Sequence, residues 1–87
     1  MENETFVFYS DPGHGWLRVP RKYLSNLGIA GMISQYSYVK GDYAYLEEDC
    51  DMGRFFDAYE NEVGKQPATD YVHCDFDSPI RDYPRYC

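Results

Sequence analysis

Two periods of apolar spacing run through this chain, and alternation at period two dominates. Thr5 to Tyr9 (TFVFY) is aromatic and β-branched and predicts a first strand. Ser10-Asp11-Pro12-Gly13-His14-Gly15 is dense in turn residues, with Pro suited to the second position of a β-turn. Trp16 to Val19 then predicts a second strand, closing a hairpin. Pro20 suits the first turn of a helix over 20–27, where its missing N–H costs nothing, and Gly28 is a natural stop. Residues 28–33 read as an apolar connector packed under the sheet. Ser34 to Lys40 and Tyr43 to Glu47 flank a Gly41-Asp42 loop, a strong two-residue hairpin signal. In that register Lys40 opposes Tyr43, Tyr38 opposes Tyr45 and Tyr36 opposes Glu47. Tyr36, Tyr38, Tyr43 and Tyr45 would then share one face.

The helical period is clearest at Met52, Phe55, Phe56, Tyr59 and Val63, with Asp49 or Asp51 as N-cap and Gly64 as stop. Asp57, Glu60 and Glu62 fall off that stripe and face water. Tyr71 to Phe76 predicts a last strand. Residues 78–87, with two prolines, read as a coil tail that could lie over the core through Ile80, Tyr83 and Tyr86. The order along the chain is β-β-α-β-β-α-β. It favours an α+β fold: a small antiparallel sheet with two helices packed on one face, a single domain over 1–77 and a tail over 78–87.

Composition narrows the function classes. Aromatics make up 18% of the 87 residues, which excludes full disorder. No apolar run reaches membrane-spanning length, and the first ten residues lack the pattern of a signal peptide. Cys50, Cys74 and Cys87 are odd in number and form no CxxC, so the expectation is a reducing, cytoplasmic setting without a disulfide framework. The net charge of −7 disfavours direct contact with nucleic acid or an anionic membrane. Residues 41–63 hold eight acids (Asp42, Glu47, Glu48, Asp49, Asp51, Asp57, Glu60 and Glu62) against one base, Arg54, so this stretch carries the whole net charge. Such a concentration can steer a basic partner; it can equally be a solvated helix face.

Candidate chemistry is sparse. His14, between two glycines and beside Asp11 and Trp16, is the most suggestive local feature, and Asp11 or His73 could partner it. The bland alternative is a hairpin loop with an incidental His. The glycines match no nucleotide-binding loop, and neither Asp11-x2-His14 nor His73-x-Asp75 has a zinc spacing, so no metal and no cofactor are expected. The acidic run at 47–51 lacks the spacing of a calcium loop. The tyrosine face is either an interaction patch or the core face of the sheet.

The segments DPGHGWLRVP (11–20), YSY (36–38) and YLEEDCD (45–51) resemble a group of small acidic proteins of bacteria, phages and other mobile elements. No activity is attached to that group, so no functional residue carries over. The resemblance implies a cytoplasmic accessory protein, in a host cytoplasm if phage-encoded. By analogy it would inhibit or modulate a host nucleic-acid-processing or defence protein. The leading expectation is thus a non-enzymatic binding protein. Glu47, Glu48, Asp49, Asp51, Asp57, Glu60 and Glu62 would mimic phosphates toward a basic protein, and Tyr36, Tyr38, Tyr43 and Tyr45 would supply apolar contact. One alternative is a small-ligand or catalytic domain centred on His14; another is a homo-oligomeric module, perhaps a dimer.

Overall fold

The computed structural model describes residues 4–86. Residues 1–3 and Cys87 lie outside the described part. Five strands, β1 (Thr5–Ser10), β2 (Gly15–Pro20), β3 (Tyr38–Lys40), β4 (Tyr43–Glu47) and β5 (Ala68–His73), form one sheet in the order β3-β4-β2-β1-β5. Two helices, α1 (Arg21–Asn26) and α2 (Met52–Val63), pack on one face, as expected of an α+β fold. Short 3₁₀ turns cover Ala30–Met32 and Pro79–Asp82.

The two hairpins follow from local turn chemistry. Ser10 pairs with Gly15 across the Asp11–His14 loop, and Lys40 pairs with Tyr43 across Gly41-Asp42. Gly41 takes φ +58°, the left-handed region that a tight two-residue hairpin requires. Gly28 and Gly64, at φ +74° and +87°, end the two helices. Pro20 closes β2 and precedes α1 instead of starting it.

The sheet is not wholly antiparallel. β2 runs against both β1 and β4, so β1 and β4 share a direction. α2 carries the chain back across the helix face, and β5 therefore runs the same way again, parallel to β1 from Thr5↔Ala68 to Ser10↔His73. That pairing ends where β1 ends, which places β5 at 68–73 instead of the expected 71–76 and leaves Phe76 outside the sheet. β3 is also shorter than its alternation suggested. Residues 34–37 turn because Asp51 captures the backbone N–H and hydroxyl of Ser34 and the hydroxyl of Ser37.

Alternation gives the sheet two unlike faces. Toward the helices point Phe6, Leu17, Val19, Ala44 and Leu46, packed against Tyr23, Leu24, Phe55 and Tyr59. Phe6 is the hub: the rings of Phe55, Tyr59 and Tyr23 stand edge-on to it at 5.2, 5.8 and 6.1 Å. The opposite face is aromatic, with Trp16 and Tyr45 buried beside Tyr9 and Tyr38. Residues 78–86 cover it. Ile80 and Tyr83 pack on Trp16 and Tyr45, and the strap then runs along the outer edge of β3. There Val39 donates to the Pro84 carbonyl and the Tyr86 N–H donates to Ser37. Tyr86 ends in the helix-side core, its hydroxyl donating to the Ala30 carbonyl.

Gly15 is fixed by a close approach. A Cβ at this position would lie 2.2 Å from Phe8 Cζ. Gly15→Ala must push the Phe8 ring out of its contacts with the core and with Tyr71, and should destabilise the fold by about 1–3 kcal/mol. Urea unfolding checks this; an unchanged midpoint would show that Phe8 yields freely.

Candidate functional site

The His14 loop, the acidic 47–51 turn and the C-terminal strap converge at one end of the aromatic face. The loop is organised by the Asp11 side chain. Its Oδ1 accepts the N–H groups of Gly13 and His14, both at 3.0 Å, so the turn closes on its own first residue. Arg81 grips the same carboxylate with two bonds, Nε to Oδ2 at 2.7 Å and a terminal nitrogen to Oδ1 at 2.9 Å, while Ser78 N–H donates to Oδ2. Hydrogen bonding from Arg81, opposed by desolvation and reinforced by the N–H groups of Ser78, His14 and Gly13, holds the Asp11 carboxyl far below the usual carboxylate range.

Asp11 is therefore not a partner for the His14 ring. That ring points to Glu47, with Nδ1 3.6 Å from Oε1, an ion pair when the imidazole is protonated. The meeting arises from strand register: Glu47 is the cross-strand partner of Trp16, and Glu48 N–H donates to the Gly15 carbonyl. Glu47 is buried, and its Oε2 accepts the N–H groups of Asp49 and Cys50. His73 takes no part here, since its Nδ1 bonds Ser10 Oγ at 2.9 Å.

Beside this pair lies a hollow of about 410 Å³, lined by His14, Trp16, Tyr36, Tyr38, Glu47 and Arg85, with Asp49, Cys50 and Arg81 completing the wall. Trp16 is 2% exposed. The Arg81 guanidinium lies over its ring at 5.5 Å, and Tyr38 stands edge-on to it at 6.2 Å. Its Nε1–H has no hydrogen-bond partner, the single such buried side-chain atom among the described residues. A second hollow, of about 580 Å³, lies around Pro20, Arg21, Tyr23 and Asp42. There the Tyr23 hydroxyl is already bonded to Glu4.

The hollow brings His14, Glu47 and Cys50 together, the residue types of a thiol nucleophile and its base. The sulfur is not activated. Desolvation, then a hydrogen bond with Glu47 and the nearby charges of Glu47, Asp51 and Asp49, push the Cys50 thiol up. At neutral pH it is a protonated thiol. Among the described residues no group of three or more His, Cys, Asp or Glu side chains could hold a metal ion.

Several residues expected at an acidic interface have other work. Asp51 is 1% exposed and bonded to Ser34 and Ser37; it occupies the N-cap position of α2 without a capping side-chain bond. Glu47 and Tyr45 are buried as well. These three cannot present themselves to a partner, because folding has already desolvated them. Tyr38, Tyr43 and Tyr45 do share a face, but Tyr36 lies outside β3 and opposes no strand residue. Glu48, Asp49, Asp57, Glu60 and Glu62 are exposed. Sequence reasoning missed the Glu47–His14 meeting, Arg81 and Arg85. The usable signal was the β2–β4 pairing, which sets Glu47 beside Trp16.

The depressed Asp11 carboxyl makes stability depend on pH. Its folded-state pKa lies below its unfolded value, so its contribution is fully present above about pH 4 and is lost as pH falls further. Asp11→Asn should lower stability at pH 6 and flatten its decline between about pH 4 and pH 2. Urea titrations of both proteins across that range test it; equal slopes would assign the acid sensitivity to other carboxylates.

No helix among the described residues is long and apolar enough to cross a membrane. In comparison with known proteins, no family model, no curated protein and no solved structure matches the chain.

Proposed function

We propose that the protein is a small binding module that engages a basic protein through its exposed carboxylates. The observation that carries this reading is how the cations are placed. Five of the eight basic side chains lie over aromatic rings: Arg18 over Tyr9 and Tyr43, Lys22 over Tyr23, Lys40 over Tyr83, Arg81 over Trp16 and Arg85 over Tyr38. Among the described residues the one ion pair between a carboxylate and a Lys or Arg is that of Arg81 with buried Asp11. Glu48, Asp49, Asp57, Glu60 and Glu62 form no ion pair with a Lys or Arg among the described residues. An unneutralised surface of this kind speeds encounter with a basic groove and sets its orientation.

The participating set is smaller than the composition suggested. Asp57 and Glu60 stand three residues apart on one side of α2, and Glu62 stands on the opposite flank. Charge together with the resemblance of the 11–51 segments favours a nucleic-acid-processing or defence protein as the partner class, with the carboxylates taking the place of phosphates. Asp57→Lys, Glu60→Lys and Glu62→Lys combined should slow association at low salt by about tenfold or more while leaving the thermal midpoint near that of the parent. Pull-down from nuclease-treated lysate at low and high salt, with parent and variant side by side, supplies the partner, and stopped-flow mixing gives the rate. A folded triple variant that binds as fast as the parent overturns the reading.

A second reading, self-association, is favoured at β5. Tyr71 is 77% exposed, and Val72 and Phe76 are exposed on and beside this open sheet edge. The hairpin edge at β3 is closed by residues 84–86, so any strand addition falls to β5. Light scattering over a dilution series should show a dimer that Val72→Lys dissociates. A monomer at every concentration removes this reading and leaves the first intact.

A further inference from the structure

We propose that β5 of one copy pairs antiparallel with β5 of a second copy, the two Val72 residues meeting on the twofold axis. The inference rests on the β5 reading above. It adds the register, which decides which side chains meet and why assembly stops at two.

The backbone shows which groups are free to pair. Cys74 N–H donates to the Ser10 carbonyl, so the even-numbered residues of β5 turn their N–H and C=O groups to β1. Thr69, Tyr71 and His73 turn theirs outward, to an edge that no strand covers among the described residues. A second β5 must therefore match these odd-numbered residues with one another. Three symmetric registers pair at least two of them within the strand. Centred on Asp70, the pairing sets two carboxylates face to face. Centred on Tyr71, it sets each Asp70 against a Val72 and takes the carboxylate out of water beside an apolar side chain. Centred on Val72, it joins two half-exposed apolar side chains in a non-hydrogen-bonded pair, where side chains lie closest across strands. Tyr71 then exchanges both backbone bonds with the second copy's His73, and Asp70 faces the second copy's Cys74.

Charge at the strand ends selects the direction. Lys65 precedes β5, whereas Asp75 and Asp77 follow it, and these side chains are exposed. Antiparallel pairing brings the entry end of each copy to the exit end of the other, so unlike charges meet at both ends. A parallel pair would set like charges together. Symmetry then closes the assembly. Each copy covers the other's β5 edge, and the opposite edge of the sheet is already covered by residues 84–86. The axis stands perpendicular to the sheet, so both α2 helices lie on one side of the joined sheet and their carboxylates form one face.

Light scattering on the parent comes first, at about 20 and about 200 mM salt. Each chain carries −7, so the dimer should tighten several-fold as salt rises, whereas binding to a basic protein weakens. A parent that is monomeric at every concentration and both salts removes the β5 reading and this inference with it. With a dimeric parent, ¹³C-labelled and unlabelled copies are mixed. An isotope-filtered spectrum should then show the Val72 methyl groups of one copy against Val72 of the other. Val72→Lys and Val72→Glu should each weaken dimerisation by about tenfold or more, because like charges meet on the axis. An equimolar mixture of the two variants should recover the dimer as a one-to-one pair. Three outcomes overturn the register and leave the β5 reading intact. They are a dimeric parent without the Val72–Val72 contact, folded variants whose mixture stays monomeric, and tighter dimerisation of Val72→Lys alone, which would place the new cation against Asp70.

Discussion

The buried carboxylate of Asp11 is where two distant stretches of the chain meet. It closes the turn between β1 and β2, anchors the strap at Ser78 and holds Arg81 in a two-bond grip. The position of Ile80 against Trp16 and Tyr45 depends on that anchor, as does that of Arg81 over the indole. A buried ion pair of this kind adds little net stability over an apolar substitute, but removing one member leaves the other poorly solvated. Its effect is positional. It converts a proline-containing tail into the second layer that an aromatic sheet face needs.

Asp51 repeats the device on the other side of the hollow, joining the start of α2 to Ser34 and Ser37. Ser37 relays the contact to the sheet by accepting the Glu47 N–H at 2.9 Å. The two aspartates fix the two walls, and the space between them is the space that the walls leave.

The hairpins, the apolar stripe of α2 and its glycine stop were legible in the sequence because each is a local preference with one dominant cause. The direction of β5 was not, since it follows from the sum of two hairpin reversals and two helical crossings, and no single segment encodes it. The acids were misread where tertiary contacts override composition. Nothing in the run from Glu47 to Asp51 distinguishes the exposed Glu48 from the buried Glu47; the difference is the alternation of β4 against Trp16. The cations were likewise silent, because a guanidinium over a ring leaves no spacing pattern.

β1 is held on one side by its hairpin neighbour and on the other by a strand that follows some sixty residues later. The first contact closes a four-residue loop, whereas the second closes a loop that contains the rest of the sheet and both helices. If β5 peels away, the edge laid bare is Thr5-Phe6-Val7-Phe8-Tyr9-Ser10, six residues with no charge and no proline. Such a segment is a ready template for cross-β stacking between chains. Asp70 in β5, paired with Val7, places a charge on the outermost strand, where it opposes that kind of growth. The resistance of the folded protein to aggregation therefore rests on how tightly its outermost strand is latched.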